Sequence, residues 1–168
     1  VIVPVHYAGV SCEMDVIMAI AKRNNLIVIE DAAQGMMSTY KGKPLGATGV
    51  ISCYSFYPTK NLATLGDAGA VTGPADFVEQ IKHLRNHGQA NVKFRAHSVG
   101  WNSRMDSIHA DILINELDYL TERNKRRCEI AQYYRENIDA FTQTINPDCK
   151  PVYHQYPLLT DKFSELDD

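Results

Sequence analysis

The hydrophobic pattern opens on a β-branched, apolar stretch at residues 1–6, which predicts a buried strand closed by a turn at Tyr7-Ala8-Gly9. Over residues 14–25 the rhythm changes. Met14, Ile17, Met18 and Ala21 recur at helical spacing, with Asp15 near the start and Lys22-Arg23 in the last turn, where they complement the helix dipole. A continuous apolar run at 26–30 then reads as a strand buried on both faces, as parallel strands are, so residues 1–30 form a strand–helix–strand unit. Between 31 and 48 the period vanishes and Gly35, Gly42, Pro44 and Gly46 mark a loop. A strand is expected at 50–56, a loop at 58–67 and a short strand at 68–72. A helix follows at 74–87, with Pro74 at its first position and Gly88 just past its end. Residues 89–103 are irregular. Residues 106–138 are polar and helical in period, but too long without a break for one ordinary helix, which predicts two helices or a bent one. In the tail, 152–158 reads as a strand. The expected architecture is α/β with a mostly parallel sheet, residues 1–145 forming one unit and 146–168 the start of a second, truncated one.

Charge and composition exclude some classes. The 17 basic and 20 acidic side chains leave a formal charge of −3 without a basic cluster, so neither nucleic acid nor an anionic membrane is an expected partner. No apolar run approaches the roughly 20 residues that cross a bilayer. Cys12, Cys53, Cys128 and Cys149 are scattered with no Cys-x-x-Cys pair, which argues against a zinc site or a disulfide framework and fits a reducing, cytosolic setting. The histidines, His6, His83, His87, His97, His109 and His154, lack metal-ligand spacing and read as structural or surface residues; no metal is expected. The chain begins at Val1 with a strand already under way, which suggests a piece of a longer protein.

In open parallel sheets ligands bind beyond the carboxyl ends of the strands, which places Asp31 and the Tyr57–Lys60 segment on one functional edge. From position alone the two could be a structural salt bridge. Their surroundings say more. Glu30-Asp31-Ala32-Ala33-Gln34 is followed by Tyr40-Lys41-Gly42-Lys43-Pro44-Leu45-Gly46, by Ser55-Phe56-Tyr57-Pro58-Thr59-Lys60-Asn61-Leu62 and by Leu65-Gly66-Asp67-Ala68-Gly69-Ala70. Pro4-Val5-His6-Tyr7-Ala8-Gly9 precedes them, and Leu84-Arg85-Asn86-His87-Gly88 and Gly100-Trp101-Asn102-Ser103-Arg104-Met105-Asp106 come after. In this order and spacing the series resembles the sugar aminotransferases of the DegT/DnrJ/EryC1/StrS family over residues 1–134. These are pyridoxal 5'-phosphate (PLP) enzymes of fold type I.

The resemblance implies roles. Lys60 matches the lysine that holds PLP covalently and shuttles the substrate proton, and Asp31 the carboxylate paired with the pyridinium nitrogen. Gln34 matches a residue beside the ring near its 3-hydroxyl, and Ser55 a donor to the cofactor phosphate. Asn102 matches an asparagine that reaches the same phosphate from a partner subunit, which implies a homodimer with shared sites. Relatives that remove a sugar hydroxyl instead of transferring an amine carry histidine at the lysine position, so Lys60 favours transamination. The implied reaction moves an amino group from an amino acid, most often glutamate, to a keto group of a nucleotide-linked deoxysugar. Two stretches depart from the usual pattern: Ala63-Thr64 replace Gly-Ala, and His109-Ala110-Asp111 replace Gln-Ala-Ala. The family's phosphate-cupping loop, ring-stacking aromatic and small C-terminal domain have no match in this chain. An inactive or regulatory relative that binds PLP or a nucleotide is the alternative. A nucleotide-binding Rossmann-like module is disfavoured by the absence of a glycine-rich first turn.

Overall fold

The computed structural model describes residues 1–47, 51–90 and 94–160. Val50 of the expected strand and residues 161–168 of the expected second unit lie outside them. After a short helical turn at Tyr7–Gly9 come α1 (Met14–Arg23), β1 (Ile29–Asp31), β2 (Thr39–Tyr40), β3 (Lys43–Pro44), β4 (Ile51–Ser55) and β5 (Gly69–Thr72). They are followed by α2 (Ala75–Leu84), α3 (Ser107–Asn137), β6 (Phe141–Thr142), β7 (Cys149–Lys150) and β8 (Leu158–Leu159).

The central sheet has the order β1-β4-β5, with β1 and β4 parallel and β5 antiparallel. Residues 1–5 run parallel beside β1 through isolated bridges at Ile2–Val28 and Val5–Asp31. Here the expectation of a fully buried strand is corrected. Pro4 and His6 are buried, whereas Val1, Val3 and Val5 are exposed, so this is an edge segment with one open face. Pro4 has no N–H to give a continuous ladder. One core cluster joins Met14 and Ala21 of α1 to Val28, Tyr40 and Leu45; a second joins Phe56 and Leu62 to Leu113 and Leu120 of α3.

Three further expectations need correction. The stretch read as loop contains a hairpin, β2–β3, whose Lys41 (φ 49°) and Gly42 (φ 75°) both adopt the left-handed conformation that a two-residue turn matching strand twist requires. β2 also pairs with β7, and the Lys41 N–H reaches the Asp148 carbonyl at 2.8 Å. Next, residues 107–137 form one helix. Its buried residues Leu113, Leu120, Asn124 and Ala131 repeat in register with the helical turn, so a single narrow stripe supports about five turns while the remaining surface stays polar. Last, 152–157 is not a strand; only Leu158–Leu159 pairs, with β6.

α2 ends three residues earlier than expected because residues 100–103 take over its terminal carbonyls. The Trp101 N–H donates to Leu84 O (2.8 Å) and the Ser103 N–H to Arg85 O (2.9 Å). Gly88 permits this approach: its φ is 68°, and a Cβ there would stand 1.9 Å from Ser98 O.

Candidate active site

β1 and β4 lie in register with Asp31 opposite Cys53. Because side chains alternate along a strand, Asp31, Cys53 and Ser55 share one face of the sheet and Glu30, Ser52 and Tyr54 the other. The hairpin closes the second face: Tyr54 Oη donates to Leu45 O (2.8 Å), and Glu30 Oε2 accepts the Gly46 N–H (3.1 Å).

The first face retains unused hydrogen-bonding capacity. Asp31 Oδ1 accepts the Ala33 N–H (3.0 Å), while Oδ2 has no partner among the described residues. Ser55 Oγ accepts the Tyr57 N–H (3.3 Å), and its own proton is not donated among the described residues. Burial and the nearby Asp31 charge push the Cys53 thiol above its ordinary pKa, so it stays protonated and is a poor nucleophile.

Beyond β4 the chain makes a closed loop. The Phe56 N–H donates to Ala68 O (2.8 Å), the Thr64 N–H to Phe56 O (2.9 Å) and the Lys60 N–H to Tyr57 O (2.8 Å). Phe56 and Leu62, packed on α3, hold the loop by its apolar side chains. Lys60 is half-buried, and its amine has neither an ion pair nor a hydrogen bond among the described residues. Thr64 Oγ1 lies 2.9 Å from His109 Nδ1. The two stretches that depart from the family's usual residues therefore meet in space.

Gln34 Oε1 accepts the Ala8 N–H at 2.6 Å and braces the Tyr7–Gly9 turn, where Ala8 and Gly9 both have positive φ. The structure thus sets Asp31, Gln34, Ser55 and Lys60 at or just beyond the carboxyl ends of β1 and β4. Asn102 bridges to Asn86 and lines a cavity of about 840 Å³ with Gly69, Lys82, Arg85, Arg104 and Cys53, the last on the face that Asp31 and Ser55 share; Lys60 does not line it.

Sequence reasoning missed a buried polar cluster next to Lys60. Asn61 Nδ2 donates to Asn124 Oδ1 (2.8 Å) and Val152 O (3.3 Å), and Asn61 Oδ1 is 3.0 Å from His154 Nδ1. Asn124 Nδ2 reaches Met36 O (3.4 Å). Asn61 falls within a quoted motif, but nothing local in the sequence ties it to Asn124 or His154. Burial, together with the positive charges of Lys60 and Arg127, lowers the His154 pKa, so its ring is neutral. Among the described residues no group of three or more His, Cys, Asp or Glu could hold a metal, and no helix is long and apolar enough to cross a membrane.

Comparison with known proteins supplies independent information. The model of the DegT/DnrJ/EryC1/StrS aminotransferase family matches residues 1–168. A dTDP-3-amino-3,6-dideoxy-alpha-D-galactopyranose transaminase of Aneurinibacillus thermoaerophilus is 43% identical over 159 residues, covering 92% of this chain and 44% of the relative. A dTDP-3-amino-3,4,6-trideoxy-alpha-D-glucose transaminase of Streptomyces venezuelae is 35% identical over 170 residues, 98% of this chain and 45% of the relative. The crystal structure of S. venezuelae DesV in complex with a ketimine intermediate superposes with a TM-score of 0.92 at 36% identity, over 98% of this chain and 45% of that one. The chain spans about half the length of the curated relatives it matches.

Proposed function

The chain belongs to the DegT/DnrJ/EryC1/StrS aminotransferase family, and from that premise we propose that it is the lysine-bearing part of a PLP-dependent enzyme that aminates a keto group on a nucleotide-linked deoxysugar. The observation that carries this reading is the coincidence of three groups with unused bonding capacity at adjacent strand ends. These are Asp31 Oδ2, the Ser55 hydroxyl proton and the Lys60 amine. An acceptor, a donor and an unpaired amine are the set that a pyridinium nitrogen, a phosphate and an aldehyde require. The chemistry PLP supplies is an electron sink and a carrier for nitrogen.

In this reading Asp31 would hold the ring nitrogen of the cofactor and keep it charged. Ser55 would hold the phosphate, Gln34 would lie beside the ring, and Lys60 would supply the amine that holds the cofactor and the base that carries a proton. Asn102, which does not line a cavity with Lys60, would serve the cofactor phosphate of a partner subunit in a homodimer. The amino donor is glutamate, the setting cytoplasmic, and residues 1–145 and 146–168 belong to a large domain and the start of a small one. The 168-residue chain by itself is inactive, because a cofactor displaced by about 1 Å loses on the order of 100-fold in rate.

The test uses the protein that carries this chain. Lys60→Ala should abolish covalent capture of PLP by borohydride. Capture that persists at wild-type yield would remove Lys60 from the role. Asp31→Asn should still bind PLP but lose most turnover with glutamate, and near wild-type turnover would rule the pyridinium pairing out.

A further inference from the structure

Lys60 lies next to Asn61, and Asn61 is among the best-anchored side chains in the loop. It is 8% exposed, Asn124 is 7% and His154 is 9%, so the three form an almost dry polar cluster. Both ends of the Asn61 amide are used: Nδ2 binds Asn124 on α3 and the Val152 carbonyl, and Oδ1 faces His154 Nδ1. An amide oxygen can only accept, so the His154 proton toward Asn61 sits on Nδ1. Arg127 of α3 fixes the main chain at the same place, its Nη1 reaching Tyr153 O (3.4 Å) and His154 O (3.3 Å). Asn124 Nδ2 meanwhile reaches the Met36 carbonyl, in the segment that follows β1 and Gln34. Two distant segments, α3 and residues 152–154, thus bond the residue that follows the lysine, and a third is tied to them through Met36.

We propose that His154, acting through Asn61 and Asn124, is a positioning residue for Lys60, and that residues 152–154 are thereby part of the lysine site. Residues 60 and 61 share one stretch of backbone, and the Asn61 amide that ties it to the rest of the fold is bonded to Asn124, Val152 and His154, so the direction in which the lysine leaves the loop depends on the His154–Asn61 bond. The apolar contacts of Phe56 and Leu62 hold the loop in place but have no directional bond to do this. His154 touches no reacting atom. The inference rests on the reading of Lys60 as the lysine that captures PLP.

The experiment measures the rate at which PLP with borohydride labels each lysine of the protein carrying this chain, located by peptide mass spectrometry well below the melting temperature. His154→Leu, which removes the donor and keeps the bulk, should slow labelling at Lys60 about tenfold, because displacement of a reacting group costs rate steeply. Exposed Lys22 should be labelled as in wild type. His154→Asn can restore a donor near the Nδ1 position and should recover Lys60 labelling to within about threefold. Asn124→Leu should behave as His154→Leu does and supplies the same comparison if that variant does not fold. Ile17→Ala, in the other core cluster, lowers the melting temperature without touching the loop and should leave Lys60 labelling within about twofold. Wild-type labelling in His154→Leu, or an equal loss in Ile17→Ala, overturns the positioning role alone. Absence of label at Lys60 in the wild-type protein overturns this inference and the proposed cofactor role together.

Discussion

Two buried histidines in this chain meet opposite electrostatic surroundings. His6 is fully enclosed, its Nε2 2.9 Å from Glu30 Oε2. Burial disfavours an imidazolium there, but the contacts with Cys12 and Glu30 outweigh it and raise the pKa to about 9. The Cys12 N–H also reaches Nδ1 (3.2 Å), a bond open only to the neutral ring, so protonation exchanges that bond for an ion pair with Glu30. His154 is almost as buried, but its charged neighbours are Lys60 and Arg127, and its pKa falls. Burial acts in the same direction on both rings. What separates them is the sign of the nearest charge, and the ring held neutral is the one beside the candidate lysine.

The largest effect expected from breaking this contrast comes at His6. His6→Leu would strip the buried Glu30 carboxylate of its imidazole partner and should cost about 3–5 kcal/mol in a denaturant melt. A loss below about 1 kcal/mol would show that the pair is not an electrostatic unit. Next comes pH. A raised folded-state pKa makes the His6 contribution fully present below its unfolded value near 6.5 and lost as pH rises through about 9. A lowered one makes the fold resist protonation of His154, so that contribution is intact above 6.5 and lost as pH falls below it. Stability followed against pH should fall on both sides of a maximum near 6.5. His154→Asn should flatten only the acid side, and an unchanged acid limb would contradict the assignment. The smallest effect belongs to a third histidine, half-buried His109, whose partner is the neutral Thr64. Thr64→Val keeps the shape, loses the hydroxyl and should cost about 0.5–1.5 kcal/mol. A double-mutant cycle with His109→Leu should show coupling of similar size.

Local signals in the sequence reached some of this and not the rest. α1 is legible to within two residues because Met14, Ile17, Met18 and Ala21 repeat at helical spacing and charges mark its ends. The ends of β1 and β4, and with them Asp31, Ser55 and Lys60, are legible because strand order and motif order agree. The β2–β3 hairpin escapes because each strand is only two residues long and its turn puts Lys41, not a second glycine, at positive φ. A break in α3 is expected because residues 106–138 are long for one ordinary helix, and only the three-dimensional contacts show that a narrow buried stripe suffices for its length. His154 escapes for a different reason. In isolation it is one histidine among six, and its meaning comes from an asparagine 93 residues earlier.

That separation has a consequence for synthesis. A ribosome adds roughly 5–20 residues per second, so about 5–20 s pass between the emergence of Asn61 and that of the histidine that latches it. Through this interval the pairing of residues 1–5, β1 and β4 can already form, while the loop bearing Lys60 lacks its last anchor. Nascent chains stopped short of residue 154 should therefore be clipped by protease within residues 56–69 while α1 and β1 stay protected, and chains extending past it should resist at both places.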